Sequence, residues 1–122
     1  MEPAVNPNIR SRLRGAVGAL CDDDLHERLW VRGDRRDNSE LTFDDAVLLV
    51  VDELATPHPD ELVGHVLLNG AELKAFVDLT EALNHLLAII GEHGTYADAL
   101  KSGAPWRAVM RDARSLGRLL DD

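Results

Sequence analysis

Two carboxylate–imidazole pairs have the spacing for joint chemistry: Glu61-x-x-x-His65 and Glu81-x-x-x-His85. Residues four apart share a helix face, so each pair offers half of what a metal site inside a helical bundle needs. The di-iron pattern uses Glu-x-x-His instead, and the further glutamates it requires on other helices are not identifiable. His85 also falls in a polar stripe with Lys74, Asp78 and Glu81, which predicts a surface ion pair for it. His58 lies between two prolines and reads as structural. Asp22-Asp23-Asp24 is the densest short run of carboxylates; it lacks the spacing of a calcium loop and fits a helix start. Asp44/Asp45 and Asp52/Glu53 are adjacent pairs, which diverge by about 100° on a helix and so do not share an acid–base site.

Cys21 precedes a helix start that would lower its pKa, but three neighbouring aspartates oppose this, and a small buried thiol is expected. No nucleophile elbow, phosphate-binding loop or dinucleotide fingerprint occurs. The most regular charged pattern is Arg107, Arg111, Arg114 and Arg118, whose spacings place four guanidinium groups within about 60° on one helix. The expected answer to this stripe is intramolecular, from the helix's own negative end and from carboxylates elsewhere in the chain; the alternative, an anion-facing stripe that binds a phosphate backbone, must work against a net charge of −9.

Those carboxylates are segregated. Residues 37–100 carry thirteen acidic side chains and one basic one, a net charge of −12, whereas the segments before and after are +1 and +2. Such a middle attracts basic proteins and repels nucleic acid and anionic lipid, so neither nucleic acid nor a membrane is an expected partner. The 122 residues suffice for one domain, expected over 1–122 with frayed tails at 1–7 and 121–122. A single cysteine builds no disulfide framework, residues 1–7 have no basic stretch followed by an apolar one, and no apolar run is long enough to span a bilayer, so neither export nor membrane insertion is expected. A cytoplasmic location is expected.

Apolar residues recur mostly at helical spacing between capping signals, which predicts an all-α bundle of six or seven helices. A first helix starts at Asn6 or Asn8 and buries Ile9, Leu13, Ala16, Val17 and Leu20. A second, capped by Asp22, buries Leu25 and Leu29, with Trp30 as a further candidate, and ends at Gly33. Thr42-x-x-Asp45 opens a third through Ala46–Val51 to Leu54, although its valines leave a buried strand as the alternative. Thr56-Pro57-His58-Pro59 reads as a hinge and Asp60–Leu68 as a short helix. Asn69-x-x-Glu72 then caps a long central helix to Ile90, with Leu73, Phe76, Leu79, Leu83, Leu86, Leu87 and Ile90 on its apolar side. Thr95 caps a brief helix with Tyr96 and Leu100, and a last helix from Pro105 buries Trp106, Val109, Met110, Ala113, Leu116 and Leu120. With only five aromatic residues, Trp30 and Trp106 are expected to serve the core.

The run Val63-Gly64-His65-Val66-Leu67-Leu68-Asn69-Gly70-Ala71-Glu72 before a leucine-rich helix, then Ala104-Pro105-Trp106-Arg107-Ala108-Val109 with Ala113-Arg114, and the Leu29-Trp30 pair, resembles a family of small acidic helical proteins from high-GC bacteria. The resemblance covers roughly residues 9–120, departs from the pattern at Gly15, Gly18 and Gly70, and brings no established activity with it. In size, charge and helicity that family is similar to immunity proteins.

The expected function is therefore a non-catalytic protein-interaction module, immunity- or antitoxin-like, without cofactor or metal. Asp44, Asp45, Asp52, Glu53, Asp60 and Glu61 would face a basic protein partner. The competing expectations are a metal-dependent enzyme or metal-binding helical module using the histidine–carboxylate pairs, and a homodimeric structural protein.

Overall fold

A computed structural model describes residues 7–34, 41–54, 58–91 and 94–121. The chain is all-α, a single compact domain, and among the described residues six helices surround one core: α1 (Pro7–Leu20), α2 (Asp23–Leu25), α3 (Phe43–Leu48), α4 (Gly70–Ile90), α5 (Tyr96–Ser102) and α6 (Ala104–Asp121). Two of these continue in more widely wound stretches, α2 into His26–Val31 and α3 into Leu49–Glu53. There the backbone bonds skip five residues, from Arg32 N–H to Glu27 O and from Leu54 N–H to Leu49 O. The Ala46–Val51 run is thus helical throughout, and the strand alternative falls away.

Capping fixes most of the helix starts. The Asp22 carboxylate accepts from Leu25 N–H at 3.1 Å, the Thr42 hydroxyl from Asp45 N–H at 3.2 Å, and the Asn69 amide oxygen from Glu72 N–H at 3.0 Å. Thr95 and Asp98 form a full reciprocal capping box. Pro7, expected in a frayed tail, is instead the first residue of α1, where a missing amide hydrogen costs nothing. Asn6 and the Thr56-Pro57 part of the expected hinge lie outside the described residues.

The expected helix over Asp60–Leu68 does not form. A single 3-10 turn covers Pro59–Leu62, after which Gly64 takes a φ of +95° and the chain doubles back. Leu62 O then accepts from His65, Val66 and Leu67 N–H, and Gly64 N–H reaches Leu67 O at 2.8 Å. A left-handed glycine after β-branched Val63 is a stop signal that outweighs the charge pattern.

The core is built as the periodicity predicts. Leu13, Ala16, Val17 and Leu20 of α1, Phe76, Leu79, Leu83 and Leu86 of α4, and Trp106, Val109, Ala113, Leu116 and Leu120 of α6 are buried together. α4 packs chiefly on α6, α6 also on α1, and α1 on α3. At the α1–α6 crossing, Gly117 lies so close to Val17 that a β-carbon there would sit 3.4 Å from its methyl group.

Among the described residues three polar side chains are buried, Arg28, Glu72 and His26, and the last two stand at polar centres within this core. Glu72 is only 2% exposed and forms a two-pronged pair with Arg10 of α1, at 2.8 and 3.1 Å. Arg10 also donates to Val66 O at 2.9 Å and to Leu120 O at 3.4 Å, while Glu72 accepts from Leu68 N–H at 2.9 Å. The Glu72 side chain therefore serves this node and the residue before the cap, rather than closing a capping box on Asn69.

The second group is His26. Its ring stacks on Trp30 with centroids 4.2 Å apart, lies within 5.6 Å of the Tyr96 and Trp106 rings, and its Nε2 is 2.6 Å from Ala19 O. Phe43 completes the cluster against Trp30, Tyr96 and Trp106. Trp106 is buried and Trp30 half-buried, its indole N–H donating to Leu41 O. Burial pushes the His26 pKa below its ordinary value, against the opposing pull of Ala19 O. The unfolded chain, with an ordinary histidine of pKa about 6.5, then binds a proton first as pH falls. Stability should decline below about pH 6.5, with a contribution of up to about 1.4 kcal/mol per pH unit until the folded pKa is reached. Urea unfolding at several pH values checks this, and an unchanged slope in His26→Phe would assign the effect elsewhere.

Candidate functional site

Four of the six carboxylates expected to meet a partner form one exposed ridge. Asp44 and Asp45 occupy the first turn of α3, placed by the Thr42 cap at its positive end, and Asp52 and Glu53 lie in the wide turn that continues it. All four are exposed. Between them stands Leu48, 51% exposed although it is a large apolar side chain. Asp44, Leu48 and Asp52 follow at four-residue steps, so they share the outward face.

The ridge separates two open clefts. One, of about 680 Å³, runs between α1 and α3 and is lined by Ser11, Arg12, Gly15, Asp45 and Glu53 among others. The other, of about 710 Å³, runs between α3 and α4 over Phe43, Val47, Val51 and Leu87, with Asp44 and Asn84 at its walls. Leu48 and Asp52 line both and so form the crest. Glu53 is partly answered within the chain, because Arg12 pairs with it across the first cleft. Both partners are solvent-exposed, which limits that pair to about 0–1 kcal/mol.

Asp60 and Glu61 do not join this ridge. They sit on the separate 3-10 turn and line neither cleft, so the expected six-residue surface divides into four and two. Because residues 63–68 are a turn, Glu61 and His65 also lose the helical alignment that made them a candidate pair. Glu81 and His85 remain on one exposed face of α4, along which Lys74 and Asp78 pair at 2.9 Å. Among the described residues, no group of three or more histidine, cysteine, aspartate or glutamate side chains could hold a metal ion.

The arginine stripe is exposed along α6 as expected, but its answering charges are not. Among the described residues, Arg111 pairs only with its neighbour Asp112, at 3.3 Å, and no carboxylate of the acidic middle reaches the stripe. Those carboxylates that do pair go to Arg10, Arg12 and Lys74. Cys21 is half-buried beside the stripe; burial pushes its thiol pKa up, against the field of Arg114, and its Sγ lies 3.3 Å from Val17 O.

Sequence reasoning missed the two buried polar centres. Arg10 carries a faint signal, since it stands three residues before Leu13 and seven before Val17 and so borders the buried face of α1. His26 carries another in its four-residue spacing to Trp30. Among the described residues, no helix is long and apolar enough to cross a membrane. Comparison with protein-family models, with curated proteins and with solved structures finds no match.

Proposed function

We propose that this chain is a non-catalytic protein-interaction module, immunity- or antitoxin-like, that offers the α3 ridge to a basic protein. The observation that carries the reading is the combination of exposed Asp44, Asp45 and Asp52 with the exposed Leu48 at their centre, flanked by two clefts. Carboxylates steer and select a cationic partner, and a central apolar side chain shielded by them supplies the buried contact that charge alone does not. Glu53 contributes less, because a partner must first compete with Arg12.

The test is a native pull-down from the source cell using the wild-type chain beside an Asp44→Asn/Asp45→Asn/Asp52→Asn variant. The expected result is a basic protein retained by the wild type, released steeply as salt rises from low to physiological levels, and lost from the variant. Since all three positions are exposed, the variant should keep its fold, with the loss of helix-end charge costing about 0.3–1 kcal/mol for each carboxylate in the first turn. Retention that ignores both salt and the substitutions would sink the proposal.

A further inference from the structure

We infer that the cleft where α1 and α6 cross is a binding site for a compact oxyanion of the phosphate class, gripped by Arg114 and Arg118. The cleft measures about 230 Å³ and is lined by Arg14, Gly18, Cys21, Arg114, Gly117, Arg118 and Leu120. Arginines of two helices thus line one depression, and no carboxylate is among its described lining residues. Gly18 and Gly117 leave the floor without side chains, and the close approach of Gly117 to Val17 brings the two arginine-bearing helices together.

Packing like charges side by side is unfavourable in the absence of a counter-charge, and among the described residues neither Arg114 nor Arg118 has a carboxylate within ion-pair distance. Guanidinium groups present forked donors that match the oxygens of phosphate, which explains why arginine rather than lysine suits such a site. The cleft is smaller than the roughly 300–1,000 Å³ of sites that enclose whole organic ligands, so it fits a phosphate group and leaves the remainder of any larger molecule in solvent. Its field is local: the segment 101–122 is net +2 in a chain of net −9, and the acidic ridge belongs to α3. The site is therefore independent of the α3 reading and stands or falls separately.

The phosphate could be free or carried as a monoester, and the two sources are separated by titrating inorganic phosphate and glycerol phosphate in parallel against the isotope-labelled protein. Amide shifts of Gly18, Cys21, Gly117 and Arg118 should move and saturate, with dissociation constants on the order of 1 mM or tighter. Stronger binding of the ester would identify a phosphorylated molecule as the ligand, and equal or weaker binding would identify free phosphate. Arg114→Gln/Arg118→Gln should weaken either at least tenfold, while Arg107→Gln, two turns before Arg114, should leave both unchanged. Shifts that fail to saturate, that appear equally with chloride at matched ionic strength, or that survive the double substitution would overturn the assignment. Circular dichroism of each variant separates loss of binding from loss of fold.

Discussion

Replacing Glu72 by Ala should destabilise the domain by about 3–5 kcal/mol, the range for removing one partner of a buried ion pair. The substitution leaves the Arg10 guanidinium, whose side chain is 14% exposed, without its carboxylate, and it strips Leu68 N–H of its acceptor. Domains have a total stability of about 5–15 kcal/mol, so the variant should lose a large share of it. Arg10→Met should be comparably damaging, because it buries an uncompensated carboxylate. The double substitution Arg10→Met/Glu72→Met removes both charges and should lie closer to wild type than either single change. Denaturant unfolding of all four proteins gives the coupling, and additive losses would show that the pair does not act as a unit. The acid limb follows from the same contact. Burial alone would raise the Glu72 carboxyl, but Arg10 and Leu68 N–H outweigh it and hold the group below its ordinary range. Its stabilisation is complete above the unfolded value of about 4.3 and is lost as pH falls through the lower folded value.

Trp106→Ala should cost about 3–5 kcal/mol through the cavity it leaves. Trp106 is 3% exposed and meets His26, Phe43 and Tyr96 at centroid distances of 5.6, 5.9 and 5.7 Å. It therefore joins α6 to the His26 stretch, α3 and α5 through a single side chain. Edge-on ring pairs contribute beyond their area, so Trp106→Phe should recover part of the loss but not all of it. A thermal or urea midpoint for Trp106→Ala within error of wild type would show that the cluster repacks without it. Because Phe43 also borders the cleft beneath the α3 ridge, the same variant should loosen that surface, seen as faster amide exchange over residues 43–48.

Local signals account for what was readable beforehand. The caps at Asp22, Thr42, Asn69 and Thr95 and the apolar faces of α1, α4 and α6 are written in residues within one or two turns of each other, which is the range at which sequence pattern operates. The failures lie where partners are distant or the backbone departs from standard winding. Glu72 reads as a cap because Asn69 is three residues away, whereas Arg10 is 62 away. The turn at Gly64 defeats a helical charge pattern that was otherwise consistent. For the site, the exposure of Asp44, Asp45, Asp52 and Glu53 was legible, but their separation from Asp60 and Glu61, and the placement of Leu48 on the crest, depend on how α3 packs between α1 and α4.

The pairing of α1 with α6 sets an order of events during synthesis. Arg10 reaches Leu120 across 110 residues, and the buried face of α1 finds its principal cover in α6. At about 5–20 residues per second, a ribosome takes roughly 5–20 s to make the chain between them. Over that interval Leu13, Val17 and Leu20 emerge without their final neighbours, and the nascent chain depends on α3 or a chaperone to shield them. Stalling before α6 would release a sticky polypeptide instead of a smaller folded one.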